Sequence, residues 1–264
     1  MTSTLSIDRS ATMLRTHPDR PPLYDAASRQ LDATWSRIIR VLPVIGIVGF
    51  SIIVAIPFTR RGAYWLVAEN RPVEMLTFFA ALAAAAQGIR LIRAHWRGRS
   101  PRWTIAFFFV FTLGLLLVAG EEIAWGQQFF RFQTPEPIAR LNQQGELTLH
   151  NLGPMQGRND FLRSAFGIGG LVGLWLGRRY AMLRPITPPT ILFNWFALIV
   201  VVGLVDTFCD ASGMTARGWE FSHRMSEVVE MYIAISAFLF VLLRSRELPR
   251  PEHASSTASA VAAA

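Results

Sequence analysis

The segment WTIAFFFVFTLGLLLVAG, Trp103–Gly120, contains no charged side chain. Two further apolar runs, Val41–Phe58 and Ile191–Val205, are also free of charge. A helix needs about 20 apolar residues to span the hydrocarbon core of a bilayer, and roughly 17 to 25 are tolerated. Buried helices of soluble proteins rarely contain such long apolar runs. The three runs therefore predict a membrane protein.

Working outward from these runs, the sequence predicts an all-α fold, a polytopic membrane helix bundle with about six transmembrane helices. The second and sixth helices have short apolar cores, so they reach full length only if Glu74, Glu227 and Glu230 lie within them. We expect a structured extracytoplasmic loop between helices 3 and 4, because long loops between helices are usually functional. The predicted helices cover residues 38–58, 70–93, 103–129, 161–178, 189–209 and 223–244.

The two ends of the chain differ in composition from its middle. Residues 1–36 are polar and rich in proline, which favours a partly disordered cytoplasmic tail over a signal peptide. Residues 247–264 are rich in Ser and Ala and are expected to form a disordered cytoplasmic tail. The six-helix transmembrane domain is therefore expected at residues 37–246. Cys209 is the only cysteine, which excludes a disulfide within the chain and a Cys-based metal cluster.

The arginines predict the orientation of the bundle. The chain contains 26 arginines and no lysine, and its net charge is +8. With the N-terminus in the cytoplasm, 17 of the 26 lie in cytoplasmic segments, as the positive-inside rule requires. The sequence thus predicts a multi-pass protein of the cell inner membrane with both termini in the cytoplasm. Because the arginines of the cytoplasmic segments explain the positive net charge, the charge does not indicate binding to nucleic acid. We expect the lipid bilayer to be the partner.

In this topology, the acidic residues in or beside the helices all lie on the outer side of the membrane. A carboxylate at the edge of the hydrocarbon costs about 2.5 kcal/mol or more, so it normally faces a cavity or a partner. The acidic and histidine side chains on this side therefore form a candidate site. The candidate catalytic groups are Glu121, Glu122, His150 and His223. The candidate metal ligands are Glu74, Glu146, Asp206, Asp210, Glu227 and Glu230.

Pairs of residues four apart recur among these groups, a spacing that places two side chains on one face of a helix. One such pair, Glu146 with His150, requires Ile138–Leu152 to be a short helix. Another, Glu121 with Trp125, requires helix 3 to continue to residue 129. The remaining pairs are Asp206 with Asp210 and His223 with Glu227.

Several like charges at a rim of low dielectric constant have to be neutralised. A shared divalent metal ion is one way, because oxygen ligands suit Mg, Mn or Ca and added His suits Zn or Fe. Protons shared among the carboxyl groups are a second way. Ion pairs are a third, and the arginines available for them are Arg71, Arg131, Arg140, Arg217 and Arg224. The residues leave these three explanations open.

Two stretches carry a resemblance to known proteins. GEEIAWGQQFFRFQTPE, Gly120–Glu136, followed by NQQGELTLHNL, Asn142–Leu152, resembles a group of uncharacterised bacterial multi-pass membrane proteins. Their signature is GEE(S/A)WGQ with a downstream NxQxExxxHN element, and the likeness extends over residues 65–235. The resemblance brings no activity with it. It implies that the signature residues here are Glu121, Glu122, Trp125, Gln127, Glu146, His150 and Asn151.

These features favour a membrane-embedded, metal-dependent hydrolase or transferase that acts on a lipid or lipid-linked substrate at the outer boundary. An ion- or proton-coupled transporter is the alternative, because acids within the membrane often mark such pathways. A transporter would need polar residues across the whole bilayer, however, and polarity is concentrated on one side. A third possibility is a non-catalytic membrane subunit whose acidic surface binds a partner protein.

Overall fold

A computed structural model describes residues 31–68, 70–140, 147–148, 159–212 and 216–248. All regular elements in these ranges are helices. This confirms the predicted all-α helical membrane bundle. Among the described residues, five helices are long and apolar enough to cross a membrane: Ala33–Ala55, Pro72–Arg97, Arg102–Glu122, Thr190–Cys209 and Arg224–Arg246.

We number the helices in chain order and use these labels below. They are α1 Ala33–Ala55, α2 Pro57–Leu66, α3 Pro72–Arg97, α4 Arg102–Glu122, α5 Gln127–Phe130, α6 Glu136–Ala139, α7 Asn159–Arg179, α8 Phe193–Ala211 and α9 Ala216–Arg246. Short 3-10 turns lie at Ala124–Gly126, Ala181–Ile186 and Thr190–Leu192.

Prolines explain two helix boundaries. α1 ends at Ala55 instead of continuing to residue 58, and Ile56 is extended, with φ −81° and ψ 117°. The residue before a proline disfavours the helical conformation, so Pro57 ends α1 and begins α2. α3 begins with Pro72, where the missing N–H removes no helix hydrogen bond. At the other end of α1, the helix begins at Ala33, before the expected domain start at residue 37.

α9 lies at the centre of the bundle. It packs against α3 on one side and α8 on the other; α4 packs on α3, while α7 and α1 pack on α8. Because α9 is covered from several sides, it contributes many of the buried residues, whereas α1 exposes most of its apolar side chains. The largest side chains of the core that are almost fully buried are Trp195, Phe108, Leu91, Ile191, Leu192 and Ile199.

The bundle has two ends of different character. At the acidic end, α1, α4 and α8 end while α3, α7 and α9 begin, and this end holds Glu74, Glu122 and Glu230. At the arginine end, α3, α7 and α9 end, and each carries basic residues in its last turn. A cation in the last turn also suits the helix dipole.

Pro43 fixes α1 on the bundle. Its ring nitrogen cannot donate to the Ile39 carbonyl oxygen one turn earlier. Trp195 of α8 donates its indole Nε1–H to this oxygen over 2.8 Å. Tyr232 of α9 donates its hydroxyl to the Pro43 carbonyl oxygen, also over 2.8 Å. Side chains of α8 and α9 therefore satisfy backbone groups around the proline.

Arg244 fixes the arginine end in a similar way. Its side chain is buried, donates from Nε to the Thr187 carbonyl oxygen over 2.9 Å, and pairs with Glu247. Gly177 of α7 lies against Thr187, where a Cβ would be 2.2 Å from the threonine Oγ1. The α7–α8 connection is thus held against the end of α9.

Candidate functional site

Arg163 in the second turn of α7 is the centre of the charged contacts at the acidic end. Its Nη2 lies 2.7 Å and its Nε 2.9 Å from Glu230 Oε1 on α9. Its Nη1 lies 3.9 Å from Asp206 Oδ2 on α8. The side chains of Arg163 and Asp206 are only 13% and 11% exposed, and that of Glu230 is 29% exposed. One guanidinium therefore joins three helices in a largely buried ion-pair network.

Three further carboxylates surround this network. Glu122, the last residue of α4, interacts electrostatically with the carboxylates of Glu74, Glu227 and Glu230 and with Arg163. Glu227, one turn before Glu230 on α9, lies in the same electrostatic field. Within the described residues, neither Glu122 nor Glu227 forms a hydrogen bond or a close ion pair. We call Glu74, Glu122, Asp206, Glu227, Glu230 and Arg163 together the acidic cluster.

The cluster brings carboxylates together from helix starts and helix ends. Glu74 lies in the first turn of α3, where the helix dipole favours a negative charge, and it accepts a hydrogen bond from the Asn70 backbone N–H. Glu122 closes α4 and Asp206 lies near the end of α8, where the dipole disfavours a negative charge. Their own helices therefore offer these two carboxylates no compensation, and Arg163 is the cation placed near both.

Glu121 belongs to a different contact. Trp125 donates from Nε1 to Glu121 Oε1 over 2.6 Å. The helix is interrupted here because Ala124, Trp125 and Gly126 have φ values of 44°, 54° and 92°, a region that Gly adopts readily. The Trp125 ring folds back onto Gly120, where a Cβ would lie 3.1 Å from it. The prediction that helix 3 continues to residue 129 is therefore wrong beyond Glu122.

Gln127 connects two parts of the loop that follows. Its Nε2 donates to Thr134 Oγ1 over 2.8 Å, and its Oε1 accepts a hydrogen bond from the Leu147 backbone N–H, also over 2.8 Å. Within the described residues, only Glu136–Ala139 is helical in this loop after α5, and Leu147 is not. The continuous short helix expected at Ile138–Leu152 is therefore not formed.

Four predicted site residues lie outside the described structure, in whole or in part. Glu146 and His150 are not described, and of Asp210 in α8 and His223 in α9 only the backbone is described. Among the described side chains, no group of three or more His, Cys, Asp and Glu is arranged to hold a metal ion. The divalent metal stays a prediction, because the side chains of two of its expected ligands, Glu146 and Asp210, lie outside that set.

Arg163 is the member of the cluster that sequence analysis missed. The arginines that the sequence suggested as ion-pair partners of the carboxylates all lay in predicted loops or at the start of the last predicted helix. A signal was available, because Arg163 is the only charged residue between Asp160 and Arg178. A lone charge in an apolar segment normally faces the interior of the bundle or a partner. Arg163 faces the carboxylates of Glu230 and Asp206.

α2 borders the acidic cluster through Tyr64. The Arg224 guanidinium of α9 lies 6.0 Å from the centroid of the Tyr64 ring, and its buried Nε has no hydrogen-bond partner in the described part of the chain. Burial raises the pKa of the Tyr64 phenol, and the Glu220 carboxylate raises it further, against the lowering effect of Arg60 and Arg224. Arg224 precedes Glu227 by three residues, so the contact of α2 with α9 lies about one helical turn from a member of the cluster.

Comparison of the chain with protein-family models, with curated proteins and with solved structures found no match. The resemblance carried by the Gly120–Glu136 and Asn142–Leu152 stretches therefore stays a prediction. The chemistry of the acidic cluster has to be inferred from its geometry alone.

Proposed function

We propose that this protein is a multi-pass inner-membrane hydrolase or transferase that acts on a lipid or lipid-linked substrate. The acidic end of the bundle faces away from the cytoplasm, and the acidic cluster supplies the general acid and the general base. The observation that supports this is the convergence of carboxyl groups at one end of the bundle. Five carboxylates meet there, and Arg163 is the cation that pairs directly with two of them.

Glu122 and Glu227 are the groups that we assign to catalysis. Asp206 and Glu230 are already engaged by Arg163, whereas Glu122 and Glu227 have no close ion-pair partner among the described residues. A carboxyl pair can divide the roles of acid and base when one member holds a proton and the other is ionised. Such a pair can activate a water or a hydroxyl group and protonate a leaving oxygen.

The position of the cluster favours a lipid substrate. Glu122 is the last residue of the candidate span Arg102–Glu122, and Glu230 lies in the first two turns of the candidate span Arg224–Arg246. At these positions we expect the two carboxyl groups near the boundary where a lipid headgroup meets the acyl chains. Exposed aromatic side chains of α5 and the turn before it, Trp125, Phe129 and Phe130, lie beside Glu122 in the chain. Aromatic residues are enriched at this level of a bilayer.

A transporter is the less favoured alternative. Acidic residues that carry an ion or a proton across a bilayer have to be distributed along the whole pathway, from one side to the other. Among the described residues of the spanning helices, the carboxylates lie only at the acidic end. Asp32 and Glu247, the described acids at the arginine end, lie outside the helices.

Lipid turnover by the purified protein tests this function. We would reconstitute it into vesicles made from a total bacterial lipid extract and follow the lipids and released headgroups by mass spectrometry. Glu122→Gln should lower the rate of product formation by about 100-fold, the usual contribution of a general acid or base. It should not lower the thermal unfolding midpoint, because it removes one of several like charges. Glu136→Gln, in an exposed pair with Arg140, is the matched control and should keep full activity.

Two results would overturn the assignment. One is the absence of any lipid product with the wild-type protein, and the other is an unchanged rate with Glu122→Gln. Activity that is lost with a chelator and restored by a divalent cation would instead assign the carboxylates as metal ligands.

A further inference from the structure

α2 has an apolar face that is not covered by the rest of the described protein. Phe58 is 93% exposed, Trp65 50% and Leu66 43%. Phe58 and Trp65 are seven residues apart, two helical turns, so they lie on the same face. The opposite face is packed against the protein, where Ala63 and the following Val67 are buried.

The position of α2 in the chain indicates what covers this face. α1 ends at Ala55 and α2 begins at Pro57, so a single residue separates α2 from a spanning helix. At its other end, α2 is followed after a short connection by α3, a second spanning helix that begins at Pro72. Both ends of α2 are therefore tethered at the same membrane boundary. A short amphipathic helix held in this way lies in the plane of the interface.

Two arginines lie beside the apolar face. Arg61 is four residues before Trp65 and is exposed on the same face. The Arg71 guanidinium lies 5.0 Å from the centroid of the Trp65 ring. Neither side chain forms an ion pair or a hydrogen bond with another described residue, whereas the Arg60 Nε donates to the Val54 carbonyl oxygen over 2.8 Å. Guanidinium groups bind phosphate oxygens well, often in a bidentate manner.

We propose that α2 is an interfacial helix that inserts Phe58, Trp65 and Leu66 into the leaflet at the acidic end and binds the phosphate of an anionic phospholipid through Arg61 and Arg71. The inference stands apart from the catalytic role of the acidic cluster, because it uses none of the cluster's side chains. If the catalytic proposal also holds, the lipid lies next to the cluster, since Tyr64 on the inner face of α2 contacts Arg224.

The first test measures lipid binding by stabilisation of the detergent-solubilised protein. Phosphatidylglycerol should raise the thermal unfolding midpoint of the wild type by mass action, more than phosphatidylcholine does. Arg61→Gln/Arg71→Gln should lose about half of this shift or more, whereas Arg61→Lys/Arg71→Lys should lose less, because the charge is kept and only the bidentate geometry is lost. Arg140→Gln, which removes an exposed arginine engaged by Glu136, is the control and should keep the whole shift.

The alternatives give different results in the same assay. An equal shift with inorganic phosphate would replace the phospholipid by a free anion and overturn the proposal. An equal shift with phosphatidylcholine, or an undiminished shift in the double Gln variant, would do the same.

The second test measures depth in the membrane and does not depend on lipid affinity. In a Cys209→Ser background, spin labels at Phe58→Cys and Leu66→Cys in vesicles should be accessible to oxygen and shielded from a water-soluble relaxing agent. A label at Glu136→Cys, whose native side chain is 76% exposed, should show the opposite pattern. If the label at position 58 behaves like the label at 136, α2 does not lie in the interface.

Discussion

At the scale of single residues, Arg163 determines whether the carboxylates at the acidic end can be buried. Carboxylates within a membrane are costly unless they have a partner. Arg163 meets Glu230 at 2.7 Å and Asp206 at 3.9 Å, with side chains that are mostly buried. The Arg140–Glu136 pair is the opposite case, since both side chains are about three-quarters exposed. Exposed pairs contribute about 0–1 kcal/mol.

We therefore expect Arg163→Gln to destabilise the protein by about 2 kcal/mol or more, because it removes the cation that pairs with the partly buried Glu230 carboxylate and lies near Asp206. Adding Glu230→Gln should recover part of this loss, since the double variant buries one charge fewer. The measurement is the thermal unfolding midpoint in detergent. Arg140→Gln should leave the midpoint almost unchanged. If Arg163→Gln and Arg140→Gln have the same small effect, the buried network is not a stabilising element.

At the scale of helices, the docking of α1 depends on one missing backbone donor. Pro43 leaves the Ile39 carbonyl oxygen without its helix partner, and the Trp195 indole N–H replaces it over 2.8 Å. An unsatisfied buried acceptor costs about 1–3 kcal/mol. The contact matters for the bundle because α1 otherwise exposes most of its apolar side chains.

Trp195→Phe should accordingly lower the free energy of unfolding by about 1–3 kcal/mol, since the ring is kept but the donor is lost. Adding Pro43→Ala should restore much of the stability, because alanine returns a backbone N–H to the Ile39 oxygen. Trp175→Phe, at a position that is 61% exposed on α7, is the control and should have little effect. If the double variant shows no rescue, Trp195 stabilises the bundle through packing alone and not through its hydrogen bond to Ile39.

The helices were predictable from the sequence to different degrees. The long apolar run at Trp103–Gly120 predicted α4, because its composition alone requires a membrane. The end of α4 was not predictable, since GEEIAWG has the composition of a continuing helix, and three consecutive residues with positive φ interrupt it. The convergence of Glu122 with Glu227 was expected from their shared side of the membrane. The role of Arg163 was not expected, because its pairing with Glu230 joins α7 to α9 and depends on tertiary packing.

At the scale of the whole molecule, the two ends of the bundle differ in charge, and this difference predicts its orientation. The segments at the arginine end carry most of the arginines. Acidic residues have little influence on insertion. The arginine end should therefore lie in the cytoplasm, and the acidic end should face outward.

The number of spans decides whether the two termini share a side. In the described part of the chain, five helices are long and apolar enough to cross a membrane, and α7 is not among them. α7 nevertheless connects both ends of the bundle, because Arg163 meets Glu230 at the acidic end and Gly177 meets Thr187 at the arginine end. Its 21 residues extend about 30 Å at the usual rise per residue, close to the thickness of the hydrocarbon core. We therefore propose that α7 is a sixth span.

Reporter fusions test the orientation and the sixth span together. A fluorescent reporter that requires the cytoplasm should be active after Arg97 and after Arg184, and an alkaline phosphatase reporter should be active after Gln143. Positions 143 and 184 flank α7, so they read opposite sides only if α7 crosses the bilayer. The same side at both positions would leave five spans and place the termini on opposite sides. Phosphatase activity after Arg97 would reverse the orientation, and the acidic cluster would then face the cytoplasm.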